Sequence, residues 1–260
     1  MLEIGNVYGH GFDRARLAEI ERAGFSLRPE TSHYAGAQLC RFLDFEDGPA
    51  LELIEVADEK AYLDFVPKGM KPYCPGVSLV VPDYAERELA DFERKYEEWQ
   101  PYSLHVNYDG SKEPRKFGWN YLNFERPVIR DTFLWLTRLD EPRPRRPPIP
   151  RHPNGAQGVV SLVFDVPEEG LERLARLAET KLAQGALDIN GVKVYSRDAL
   201  DVMPVPGEKT FPLRAIVVKA DRLDSFADVS EEPEIVSFRS RPAARIRTND
   251  LSWDILVARP

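Results

Sequence analysis

Cysteine is scarce in this chain of 260 residues: Cys40 and Cys74 stand far apart and in no C-x-x-C spacing. That excludes a zinc knuckle and a dithiol redox motif, and leaves buried free thiols as the expected state. Histidine is nearly as rare, with four in all, and there is no G-x-S-x-G elbow, Gly-rich phosphate loop or Cys/His/Asp set. Basic excess is missing too. A net charge of -8 and a pI near 5.2 exclude a protein built mainly to hold nucleic acid, because a polyanion needs a basic face. No apolar run reaches the ~18 residues of a membrane span. The opening Met1-Leu2-Glu3-Ile4-Gly5 has no basic region of a signal peptide, so a cytoplasmic protein with no membrane partner is expected.

What is present is enough apolar residue, 43%, to build one large core or two small ones. The organising stretch is Ala50-Leu51-Glu52-Leu53-Ile54-Glu55-Val56, an apolar strand pattern carrying Glu52 between aliphatics, just after the turn signal Glu46-Asp47-Gly48-Pro49. Trp253-Asp254-Ile255-Leu256 and Leu200-Asp201-Val202-Met203 repeat the design. Around these the chain reads as strand, helix, then strands. A strand over 3–8 is broken at Gly9-His10-Gly11, and Asp13 caps a helix over Arg14 to Ala23 that ends at Gly24. Strands follow at Phe25 to Arg28, Gln38 to Phe45 and Leu51 to Val56. The second unit has a strand at Val77 to Val81, a helix over Tyr84 to Trp99, and strands at Tyr102 to Tyr108, Trp119 to Phe124 and Thr132 to Leu139.

Between Glu141 and Pro153 the proline density forbids helix and leaves an extended connector. Beyond it lie a strand over Val159 to Val166, a helix from Pro167 to Leu182, and strands at Val192 to Ser196 and Leu200 to Val205, so this third unit is one strand short or has an irregular one. A fourth has a strand at Arg214 to Val218, a helix over Asp221 to Ala227, and strands at Ile235 to Arg239, Ala244 to Thr248 and Trp253 to Ala258. The expected fold is α+β, four βαβββ units in two halves: 1–140, the connector 141–153, and 154–260. Paired units of this kind curve around a shared cleft.

Glu21-Arg22-Ala23-Gly24-Phe25, then His33 and the stretch Phe45-Glu46-Asp47-Gly48-Pro49-Ala50-Leu51-Glu52-Leu53, resembles the opening of a glyoxalase-like domain of the vicinal oxygen chelate superfamily. His152-Pro153-Asn154-Gly155-Ala156 resembles the segment leading into the second half of such proteins. The resemblance implies the fold, but the superfamily includes glyoxalases, dioxygenases, epimerases, transferases and non-catalytic binding proteins, so it implies no single activity. Its metal-using members take one ligand from the first strand of a unit and one from the acid of the L-E-L strand. Here Glu52 fills the acid slot, while the other slots fall near Gly5, Gly76 and Leu134, which ligate nothing. Asp201 and Asp254 fall at acid slots in the second half, without histidine partners. No metal or other cofactor is therefore expected, with a divalent ion at a rearranged site as the alternative.

The candidate catalytic residues are Glu52, His33 and His10. The candidate ligand-binding residues are His33, Glu52, His105, Asn107, Trp119 and Tyr121, the last four placed by alternation along two strands to line a cleft wall with aromatic surfaces and amides. Three functions follow: a metal-independent protein that binds a small organic ligand; a lyase, isomerase or dioxygenase with a metal held by His10, His33, His105 and Glu52; or an interaction protein whose sheet edges form a homodimer.

Overall fold

The computed structural model of the chain describes residues 2–66, 70–81, 98–106, 115–139, 148–199, 209–221, 234–248 and 250–259, with backbone alone at 35, 65, 103–106, 115–117 and 139. Strand β1 (Glu3–His10) is followed by helix α1 (Arg14–Arg22), β2 (Thr31–His33), a 3-10 turn at Tyr34–Gly36, β3 (Gln38–Leu43) and β4 (Ala50–Val56). Helix α2 (Glu59–Phe65) leads to β5 (Gly76–Val80), β6 (Gln100–Val106), β7 (Arg115–Asn123) and β8 (Phe133–Leu139). The remainder runs through β9 (Ala156–Phe164), a 3-10 turn at Glu168–Leu171, α3 (Glu172–Leu177), β10 (Ala186–Ile189), β11 (Val192–Tyr195), β12 (Leu213–Ala220), β13 (Glu234–Phe238), β14 (Arg241–Ile246) and β15 (Asp254–Ala258).

The strands form an eight-stranded sheet, β2-β3-β4-β1-β5-β8-β7-β6, and a seven-stranded one, β10-β11-β9-β12-β15-β14-β13. In each unit the first strand pairs parallel with the last, as β1 with β4, β5 with β8, β9 with β11 and β12 with β15. The units of a sheet then meet through their first strands, antiparallel, at β1–β5 and β9–β12. This strand pairing is that of paired βαβββ-type units, as read from the sequence. The central strands β5 and β15 are buried along their whole length, which is why Val77-Ser78-Leu79-Val80 and Ile255-Leu256-Val257 show no polar alternation.

One face of each sheet enters a common core. Val7, Leu51, Leu53 and Leu79 of the first pack in one cluster with Leu162, Ile216, Ile255 and Val257 of the second, together with Leu17 and Ile20 of α1 and Leu174 and Leu177 of α3. The opposite face of each sheet curls in on itself. Tyr34, beside β2, and Tyr102 of β6 bring the two edges of the first sheet to a ring distance of 6.0 Å, and in the second sheet Tyr195 of β11, next to the edge, comes within 6.1 Å of Phe238 of the edge strand β13.

Several expectations are revised. Strand β1 continues through Gly9 and His10, held by pairing with β4 as far as Ile54. A Cβ on Gly9 would lie 2.1 Å from Ser252 Oγ, so glycine here admits the second half of the chain rather than breaking the strand. Phe25 to Arg28 is not a strand, although Arg28 donates its N–H to the Phe42 carbonyl. Helix α2 is additional, with Asp58 accepting from Ala61 N at 3.0 Å as its cap. The helix expected through Leu182 is a 3-10 turn and then α3, ending at Leu177. Strand β10 was not anticipated, and β11 takes the place beside β9 that β4 holds beside β1. The bulk of the Tyr84 to Trp99 helix, the Leu200 to Val205 strand with Asp201, the Asp221 to Ala227 helix beyond its first residue, Asn107, and 141–147 of the connector lie outside the described residues. Among the described residues no helix is long and apolar enough to cross a membrane.

Candidate functional site

Strand β4 sends Leu51 and Leu53 into the core and Glu52 to the opposite, curled face, where it lies between Tyr8 of β1 and Phe42 of β3. A bulge at Gly5 sets what stands beside it. Pairing between β1 and β5 jumps from Ile4 opposite Leu79 to Asn6 opposite Ser78, so the alternation shifts by one residue. Asn6 then reaches Glu52, its Nδ2 donating to Oε2 at 2.7 Å. His33 Nδ1 is 3.7 Å from Oε1, and His33 Nε2 is 3.2 Å from the Thr31 hydroxyl, which also donates to the Cys40 carbonyl at 3.4 Å. Cys40 joins them from β3: burial, reinforced by the Glu52 charge, pushes its thiol well above its usual pKa, so it is held protonated. Glu52 is only 8% exposed and Cys40 is fully buried.

Aromatic residues surround this group. The Tyr34, Tyr102 and Trp119 rings form a continuous row, with 6.0 Å and 4.8 Å between successive centroids. Burial raises the pKa of Tyr34 and of Tyr102, and Tyr121 lies near enough to both to add to the rise. On the other side, Tyr8 contacts Trp135 at 5.6 Å and Phe133 at 6.5 Å. His33, Glu52, Trp119 and Tyr121 are thus gathered in one curl. The backbone of His105 lies on β6 opposite Lys116. His10 points into a separate cage of Tyr8, Tyr62 and Tyr73, with centroids 5.3 to 5.8 Å away. Burial there lowers its pKa to about 4, so it is neutral at neutral pH.

Three of the positions to which the resemblance assigns metal ligands, Gly5, Gly76 and Leu134, carry no donor side chain. Gly76 has no room for a ligand, because a Cβ there would lie 2.1 Å from the Tyr8 ring. Leu134 faces the common core rather than the curl. Beside Glu52 stands the amide of Asn6, whose Nδ2 is a donor to the carboxylate. Asp254 is not a second cleft acid either. It is completely buried, bonded by Lys209 Nζ at 2.7 Å, Arg245 Nε at 2.8 Å, Arg245 Nη2 at 2.6 Å and the Thr248 N–H at 2.9 Å. It is a structural ion-pair centre, and its place at the start of β15 opposite Ala215 differs from that of Glu52 in mid-strand. Sequence reasoning missed Asn6, hidden by the bulge, and Cys40, which alternation along β3 places on the Phe42 face.

No family model matches the sequence, and no curated protein matches it. Solved structures do. The fold is similar to that of a Mn(II)-bound glyoxalase from Novosphingobium aromaticivorans, at 10% identity and TM-score 0.53, covering 98% of this chain and 81% of that one. It is similar to a catechol 2,3-dioxygenase, at 10% identity and TM-score 0.51, covering 99% and 88%. An extradiol ring-cleaving dioxygenase from B. fuscum gives 10% identity and TM-score 0.55, covering 100% and 72%. The chain therefore shares the fold of these glyoxalase and dioxygenase structures.

Proposed function

We propose that the protein binds a small organic molecule on the curled face of its first sheet, without a metal, through Glu52 as acceptor and the Tyr34–Tyr102–Trp119 row as an aromatic wall. The observation that carries this reading is the surroundings of Glu52. It is a nearly buried carboxylate beside an amide, an imidazole and a thiol, and among the described residues no lysine or arginine pairs with it. A carboxylate so placed is stabilised by added donors, which a ligand hydroxyl or amine supplies. His33, next to it, is placed to exchange a proton with such a ligand. Catechol, the phenol named in one structural neighbour, is a suitable probe. Added to chelator-treated protein, it should quench tryptophan fluorescence through Trp119 and Trp135, and Glu52→Ala should weaken that binding by about tenfold, the worth of a hydrogen bond to a charged group. Equal quenching by the variant, or none in the unaltered protein, would sink the reading.

A second reading is favoured by one observation. His33, Cys40 and Glu52 each offer a ligand atom within 4.8 Å of the others, a nitrogen, sulfur and oxygen set suited to zinc or cobalt. Binding would have to remove the proton that burial holds on Cys40. A Co(II) titration that develops a thiolate charge-transfer band, lost in Cys40→Ala, would replace the metal-free reading with this one.

A further inference from the structure

The second sheet holds a partly open cavity of about 410 Å³ within its own curl. Its floor is apolar and buried, made by Val217, Ala258 and the touching rings of Tyr195 and Phe238, with Ser161 adding a hydroxyl. Its rim is cationic: Lys193, Lys219, Arg239, Arg241 and Arg259 all line it, in a chain whose net charge is -8. Lys193 meets Asp188 at 2.8 Å, Lys219 meets Asp47 at 2.6 Å, and Arg239 lies over the Tyr195 ring. We infer that this cavity is a binding site for a small amphipathic anion, an apolar or aromatic body carrying a carboxylate or phosphate, with the body on the ring floor and the charge at the cationic rim. It is independent of the Glu52 site and lies towards the end of β15 opposite Asp254.

The turns that frame it supply a second reason. Ile189 pairs with Val192 and Phe238 with Arg241, so both edge hairpins close through two residues. Such turns need positive φ at both positions. Asn190-Gly191, at 49° and 88°, are the residues that tolerate this. Arg239-Ser240, at 50° and 60°, are not. A strained arginine at a turn tip is expected where its guanidinium has work at a site.

The test uses anilinonaphthalene sulfonate, an aromatic anion that fluoresces in apolar surroundings, with its neutral parent anilinonaphthalene. The sulfonate should bind saturably, more weakly as salt rises, and about tenfold more tightly than the neutral parent. Replacing the strained turn, Arg239→Asn with Ser240→Gly, should raise the denaturant midpoint yet weaken sulfonate binding by about tenfold. Glu52→Gln should leave that affinity unchanged while affecting catechol. Benzoate and phenyl phosphate, as competitors, distinguish the carboxylate source from the phosphate one. Equal binding of charged and neutral probes, unweakened binding by the turn variant, or displacement by neither competitor would overturn the inference.

Discussion

Glu52 and Asp254 are both acids on the curled faces of their sheets, and the charges around them differ. Asp254 holds two nearly buried cations, Lys209 and Arg245, whose side chains are 6% and 3% exposed. Neutralising the acid removes the buried carboxylate that both share, with Glu234 still 3.3 Å from Arg245, so Asp254→Asn should cost about 3 to 5 kcal/mol in a urea titration. Glu52→Gln retains an oxygen for the Asn6 amide and, among the described residues, strands no lysine or arginine, so it should cost less than about 1.5 kcal/mol, the worth of an ordinary hydrogen bond. Equal losses in the two variants would show that Glu52 is a structural acid as well. His10 gives a pH signature. Its folded-state pKa of about 4 lies below the ordinary 6.5, so the unfolded chain takes up a proton that the folded one refuses. The contribution is complete above pH 6.5 and is lost as pH falls towards 4, on the order of 3 kcal/mol in all. His152 shifts in the same direction through burial. His10→Phe should flatten the fall in urea midpoint between pH 7 and 4, and an unchanged slope would place the sensitivity elsewhere.

At the scale of elements, the strands and the capped helix were legible because their signals are local. Asp13 accepts from Arg16 N at 2.9 Å, and Gly24 takes the positive φ of 80° expected after a helix. The acid of β4 was legible for the same reason, since alternation alone separates Glu52 from Leu51 and Leu53. Its partners were not, because they depend on register. Counting residues lands on Gly5, whereas the bulge at that glycine turns Asn6 to the acid, and a single residue of slip exchanges the faces of a strand. The ion pairs of Asp254 were hidden too, because Lys209 and Arg245 come from a loop and a neighbouring strand. The fit of Tyr8 against β5 is a contact no local pattern reveals. Gly76→Ala drives a methyl into that ring, so it should destabilise by about 1 to 3 kcal/mol in thermal or urea unfolding, and a neutral result would mean that Tyr8 swings aside freely.

At the scale of the molecule, the halves are joined by more than chain continuity. His152 Nδ1 accepts from Ser26 N at 3.0 Å while its Nε2 lies 2.9 Å from the Asp44 carbonyl, so the proton is on Nε2. Asn154 Nδ2 donates to the Ala23 carbonyl at 2.8 Å, and the turn at Asp47 exchanges backbone bonds with Gln157 and Val159. Trp253, fully buried, packs at a tilt against Phe12, 5.5 Å between ring centroids, and donates its Nε1 to the carbonyl of Tyr8, the residue whose ring lines the first curl.

The common core has a consequence for how the chain can be divided. A cluster that takes Leu53 from one sheet and Ile255 from the other makes the larger hydrophobic interior a property of both parts together, since separation exposes that face of each sheet. Cut within 141–147, the two polypeptides should remain one particle on a sizing column and melt in one transition, while either made alone should aggregate and recover only when refolded with its complement. The covalent link between them would then be dispensable, and the protein could be run as a split pair whose reassembly reports on the contact between its halves.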